Sequence, residues 1–150
     1  MPAIRIPHLL AALSLAALTT LASLSAVAAD KETKSDAVAT DKLPSGVIVA
    51  HTQLGKGPQP TENSTVKVHY RGYFADGKEF DSSYKRGQPT SFPLRHVIAC
   101  WTQGIQKLKE GGKATLTCPG PTAYGPNGIA GVIPPNATLY FDVELLSAGQ

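Results

Sequence analysis

The sequence predicts an α+β domain, with one short helix lying across a strongly twisted antiparallel sheet. Three observations lead there. Fourteen glycines and twelve prolines in 150 residues call for many turns. Several short stretches alternate apolar and polar residues, as half-buried strands do. Beyond residue 29, only the stretch 97–109 carries an apolar stripe at helical spacing.

Residues 1–29 are set apart in composition. Arg5 and His8 precede an apolar run from Leu9 to Leu24, and Ala26-Val27-Ala28 and Val27-Ala28-Ala29 both fit a small-x-small cleavage site. This pattern predicts a signal peptide over 1–29. The alternative is an uncleaved anchor, for which the interrupted apolar core is somewhat short. Cleavage would remove Arg5 and leave 13 basic against 11 acidic side chains. Such a balance gives no reason to expect nucleic acid as a partner, or a membrane surface once the signal is cleaved. The expected compartment is a periplasm, with secretion beyond it second. Cys100 and Cys118 both lie in the exported part and are expected to form a disulfide there. Two buried free thiols are the alternative.

Residues 30–43 are polar and lack a period, so they read as a flexible leader, and the domain is expected over 44–148. Val47-Ile48-Val49 is a short strand. In 65–70 Val66, Val68 and Tyr70 share one face and Lys67 and His69 the other. The strand runs on through Phe74 to Asp76-Gly77, a hairpin signal. Lys78 to Ser83 returns, with Phe80 and Asp81 on opposite faces if that strand is regular. After a loop over 84–89, Ser91 to Leu94 is an edge-like strand. In the helix over 97–109, Ile98, Trp101, Ile105 and Leu108 form the stripe, and Gly111-Gly112 stops it. Ala114, Leu116 and Cys118 alternate in the next strand. Leu139, Phe141, Val143 and Leu145 alternate in the last.

Between these two strands runs YGPNGIAGVIPPNATLYF, from Tyr124 to Phe141. It sets Ile129, Val132 and Ile133 among glycines and prolines. Branched aliphatics in a turn-rich loop must fold back on something apolar or offer an apolar lip to a ligand. The stretch therefore reads as a pocket wall followed by a floor strand.

A search for reactive chemistry finds little. There is no Cys/His spacing for zinc, so no metal is expected, and no dinucleotide, Walker or nucleophile-elbow motif. His96 and Cys100 stand four apart and could pair as base and thiol, but a histidine at a helix start is more often a cap or a surface residue. Asp81 is the one acid flanked by aromatics, and a lone acid more often partners Tyr or Arg. What accumulates is Tyr70, Phe80, Phe92, Val97, Ile98, Trp101, Tyr124, Ile133 and Phe141. These could be one ordinary core. Their two Tyr and one Trp, with polar tips, fit a small-ligand or peptide pocket better.

Three segments, VKVHYRGYFADGKEFDSS (66–83), VIACWTQGIQKLKEGGKATLTCP (97–119) and AYGPNGIAGVIPPNATLYFDVELL (123–146), resemble the FKBP-type peptidyl-prolyl cis-trans isomerases in order and spacing. The resemblance implies a half barrel, a bent antiparallel sheet wrapped around one short helix. It implies catalysis of X–Pro rotation by Tyr70, Phe80, Asp81, Trp101, Tyr124 and Phe141, with Phe92, Val97, Ile98, Ile129 and Ile133 binding substrate. Trp101 would be the pocket floor. The Tyr124 hydroxyl and the Ile98 N–H would hold carbonyls, and Asp81 would face the twisted amide or orient tyrosine hydroxyls. The implied partners are proline-containing polypeptides and the family's macrolide inhibitors, with no cofactor, and the chain is expected to be a monomer. Three positions depart from the family pattern: Cys100 stands where Gly is common, Thr90 where a pocket-edge Phe is common, and Ile129 where His is frequent. Two other classes stay open: a chaperone-like module that binds apolar segments through the lip, and a thiol enzyme using Cys100.

Overall fold

The structure, a computed structural model, describes residues 36–149. The signal peptide expected over 1–29 and the first part of the leader lie outside the described residues. Those that are described form seven strands: β1 (Ala39–Lys42), β2 (Ile48–Gln53), β3 (Thr65–Tyr73), β4 (Glu79–Ser82), β5 (Thr90–Pro93), β6 (Lys113–Cys118) and β7 (Leu139–Gly149). One helix, α1 (Ala99–Ile105), lies between β5 and β6 in the chain. The sheet is antiparallel throughout, in the order β1-β2-β6-β7-β3-β4, with β5 also pairing β3. Its two ends do not pair, so the sheet is open.

Alternation decides which face is buried. Val66, Val68 and Tyr70 of β3 point inward, as do Ala114, Leu116 and Cys118 of β6 and Leu139, Phe141, Val143 and Leu145 of β7. Cys100, Trp101 and Ile105 of α1 complete this core, together with Leu108 beyond the helix. The β7 pattern slips one residue near its end: Lys67 pairs Ser147 while Val68 pairs Leu145, leaving Leu146 as an extra residue. A bulge of this kind bends a strand and restores the phase, and Ala148 is accordingly turned inward against Val66. Further register shifts occur between β2 and β6 and between β3 and β4. Together they curve the sheet around the helix.

Two expectations are corrected. Residues 39–42, expected within the leader, form β1, pairing β2 from Ala39↔His51 to Lys42↔Ile48. All four are exposed, so no apolar face marks the strand. It is held by backbone pairing and by the contact of His51 Nε2 with Asp41 Oδ2 at 2.9 Å. The helix, expected over 97–109, covers only Ala99–Ile105. Val97 and Ile98 are extended, and Lys107 and Leu108 donate to carbonyls three residues back rather than four. Leu108 still reaches the core from this tighter turn, which is why the apolar stripe outlasts the helix.

Cys100 and Cys118 are disulfide-bonded, tying the first turn of α1 to the end of β6, and both are wholly buried. Gly72 of β3 lies under two aromatic rings. A Cβ there would come within 2.7 Å of Phe80 and 2.9 Å of Phe141.

Two outcomes are expected. Replacing both cysteines by alanine removes a link across 18 residues and should lower unfolding free energy by roughly 3 kcal/mol, read from denaturant midpoints. Gly72→Ala should cost about 1–3 kcal/mol by overpacking, since both rings must move. An unchanged midpoint would contradict either assignment.

Candidate functional site

The pocket is built where the strands of the curved sheet meet the start of α1. Val97 and Ile98 carry the chain in an extended path from the turn Leu94–His96 into the helix. Trp101 is therefore on the first helical turn, packed inward and only 4% exposed. Rings from three strands meet it nearly perpendicular. Tyr70 of β3 lies 5.0 Å away at 82°, Phe92 of β5 5.4 Å at 89°, and Phe141 of β7 5.3 Å at 87°. Phe80 of β4 extends the box by an edge contact with Phe141 at 5.7 Å. Edge-to-face pairs of this kind are favourable beyond the area they bury.

A cavity of about 520 Å³ opens over these rings, within the range of small-ligand sites. Its lining brings together Tyr70, Phe80, Asp81, Phe92, Val97, Ile98, Trp101, Tyr124 and Phe141, nine of the eleven residues singled out from the sequence. The other two lie elsewhere. Ile129 and Ile133 line a separate groove with Asn127 and Ala130–Pro135. Ile129 and Ile133 pair with each other across a tight turn. Ile133 is buried in the core, whereas Ile129 and Val132 are 40% and 50% exposed.

Polar groups concentrate at one side. Asp81 Oδ2 accepts from the Tyr70 hydroxyl at 2.6 Å, and Oδ1 accepts from Arg86 Nη1 at 2.6 Å and from the Ser82 N–H at 2.8 Å. Arg86 Nη2 donates to the Tyr70 hydroxyl at 2.8 Å, closing a three-membered ring of contacts. Burial opposes ionisation of Asp81, but the donors Tyr70 and Arg86, the Arg86 charge and the Ser82 N–H outweigh it. Its carboxyl is held below the ordinary aspartate range. Burial first, and then the hydrogen bond to Asp81, raises the Tyr70 phenol. Burial and the Asp81 charge raise Tyr124 as well. Both tyrosines are thus neutral donors near neutral pH.

Arg86 escaped the sequence reading because it sits in the loop YKRGQP, where no periodicity reports a side chain's direction. The one available signal was a lone acid followed five residues later by an arginine in a tight turn. His96, read as a cap or surface residue, is exposed and lines the cavity rim. The thiol reading is overturned, because Cys100 is bonded to Cys118 and holds no thiolate for His96 to activate. No cluster of three or more His, Cys, Asp or Glu is placed to hold a metal ion among the described residues.

Comparison with known proteins gives this site its relatives. Residues 57–146 match the family model of the FKBP-type peptidyl-prolyl cis-trans isomerases. The chain is 52% identical over 101 residues to the FKBP-type peptidyl-prolyl cis-trans isomerase FkpA of Escherichia coli (strain K12), a match covering 67% of this chain and 37% of that one. It is 46% identical over 110 residues to FK506-binding protein 1 of Candida glabrata, covering 71% of this chain and 96% of that protein. The crystal structure of FkpA from Escherichia coli superimposes with a TM-score of 0.70 at 47% identity, over 73% of this chain and 51% of the other. The chain thus spans little more than a third of the length of the FkpA relative and nearly all of the fungal one. With the family model matching more than half of the chain, and a match that covers 96% of the fungal relative, the chain belongs to the FKBP-type peptidyl-prolyl cis-trans isomerase family.

Proposed function

We propose that this chain is an exported peptidyl-prolyl cis-trans isomerase that rotates X–Pro bonds of proline-containing polypeptides in the aromatic cavity. The observation that carries the reading is the cavity itself, an apolar box floored by Trp101 with a few polar groups at its edge. The barrier to amide rotation is about 18–20 kcal/mol and arises from resonance. Rotation breaks no bond. It localises the nitrogen lone pair and leaves a less polar carbonyl, so a water-poor apolar surround favours the twisted form over the planar one. The proline ring would sit on Trp101 between Tyr70, Phe92 and Phe141, with Phe80 and Val97 closing the sides.

Unpartnered donors remain to hold the flanking carbonyls. Neither the Ile98 N–H nor the Tyr124 hydroxyl makes a hydrogen bond among the described residues, and both residues line the cavity. Asp81 already accepts hydrogen bonds from Tyr70, Arg86 and Ser82. This supports the role of orienting hydroxyls and setting the local field rather than that of abstracting a proton. Ile129 and Val132 form an exposed apolar lip on the wall loop and would meet substrate side chains beyond the proline. Ile133 would act from the core, by holding that loop.

Residues 1–29 support export, and the buried disulfide suits an oxidising periplasm. The family's macrolides would compete for the same box, with Thr90 loosening one wall. The exposed lip also favours a second reading, in which the chain holds apolar segments as a chaperone. A variant without isomerase activity that still suppresses aggregation of a client would establish it.

A protease-coupled assay on an X–Pro peptide tests the proposal. Wild type should accelerate cis–trans conversion and be inhibited by FK506. Phe141→Tyr, which adds a hydroxyl to the box, and Asp81→Ala should each lower kcat/KM roughly ten-fold or more, equal to about 1.4 kcal/mol of transition-state stabilisation. Unchanged turnover in both folded variants would refute the pocket assignment.

A further inference from the structure

The turn between β4 and β5 is anchored on one side of the sheet and works on the other. Residues 84–88 are all exposed, and Gly87 has φ +72°, so the turn is not held by a core of its own. Ser83, wholly buried, is pinned to β3: its N–H donates to the Tyr70 carbonyl at 3.0 Å, and its Oγ accepts the Tyr70 N–H at 2.8 Å and lies 2.9 Å from His69 Nδ1. Next, the Tyr84 ring lies flat on His69, with centroids 4.6 Å apart and planes 11° apart. Its hydroxyl reaches Glu144 Oε2 at 3.5 Å. Lys85 pairs with Glu79 at 2.7 Å, but its side chain is 74% exposed and such a pair is worth little. Only Arg86 turns to the pocket, where it contacts Asp81, the Tyr70 hydroxyl and, at 3.4 Å, Thr90 Oγ1.

None of His69, Tyr84, Glu144 and Glu79 lines the cavity. The backbone links the two sides. The Arg86 N–H donates to the Ser83 carbonyl at 3.2 Å and the Gly87 N–H to the Tyr84 carbonyl at 3.0 Å, so the orientation of Tyr84 and the position of Arg86 belong to one turn. An arginine on a long side chain in an exposed turn loses much freedom when clamped. The flat stack is the anchor, beyond Ser83, that offsets this loss.

We propose that Tyr84, stacked on His69 away from the pocket, is a positioning residue for the candidate site: it holds the Ser83–Gly87 turn so that Arg86 stays on Asp81 and the Tyr70 hydroxyl. The inference rests on the isomerase reading only for its consequence for turnover. Its structural consequence is independent of any activity. When the stack is lost, Arg86 leaves, Asp81 loses a donor and a positive charge, and its carboxyl rises toward the ordinary aspartate range.

The test uses the full chain with Tyr84→Ala, Tyr84→Phe, His69→Ala, the double alanine variant, and Lys85→Ala as a same-turn control. The Asp81 carboxyl is titrated by carbon-detected NMR, and kcat and KM are measured separately. Tyr84→Ala and His69→Ala should each raise the Asp81 pKa and lower kcat about 3- to 10-fold, the scale of one aromatic pair. The double variant should do no more than the stronger single one. Tyr84→Phe keeps the ring and should behave as wild type, as should Lys85→Ala. An Asp81 titration unmoved by Tyr84→Ala and His69→Ala would overturn the proposal, whatever the melting temperatures. If wild type shows no isomerisation, the functional reading fails, and the titration alone still decides the role of Tyr84.

Discussion

The whole arrangement depends on Trp101 being met edge-on by rings from three different strands. Tyr70, Phe92 and Phe141 come from β3, β5 and β7, and they converge only because the sheet curves. The bulges that curve it also restore inward phase at the end of β7, so sheet shape and core burial are one solution. The helix need be only seven residues long. Its task is to present one indole at its first turn, and the adjacent Cys100 is bonded to β6 so that this turn cannot slide. Gly72 serves the same packing by carrying no side chain beneath Phe80 and Phe141.

Placed against this apolar floor, the polar groups divide by state. Tyr70, Asp81 and Arg86 satisfy one another and form a fixed edge. The Ile98 N–H and the Tyr124 hydroxyl have no partner among the described residues and stay available. Bond rotation asks for this division: a dry surface for the twisted amide, donors for the flanking carbonyls, and a rigid field at one side. A carboxylate already accepting three hydrogen bonds is a poor general base and a good orienting group.

Much of this was legible in the sequence, for physical reasons that can be named. β3 and β7 announced themselves because one face is buried along most of their length, so alternation survives every turn of pattern. Eight of the residues that line the cavity stood out as aromatic or aliphatic groups at element ends, and Asp81 as an acid flanked by aromatics; the resemblance to the family set them in one pocket. β1 was missed because Ala39–Lys42 has no buried face, and its pairing is made by backbone that composition does not report. The helix was read too long because Leu108 packs inward from a tighter turn. Arg86 and Tyr84 lie in a loop where side-chain direction follows from tertiary contacts alone. Ile133, expected in the pocket itself, instead lines a separate groove with Ile129, the two pairing across a tight turn.

On the proposed reading, the pocket acts on a bond rotation through its surround, with no proton in flight at the barrier. The most direct test is the solvent deuterium isotope effect on kcat/KM for an X–Pro peptide, measured in H₂O and D₂O at matched protonation. Rotation without proton transfer predicts a ratio close to 1. A ratio of about 2 or more, as a proton moving in the transition state by general acid–base catalysis would give, would contradict the account and return Asp81 or His96 to a chemical role.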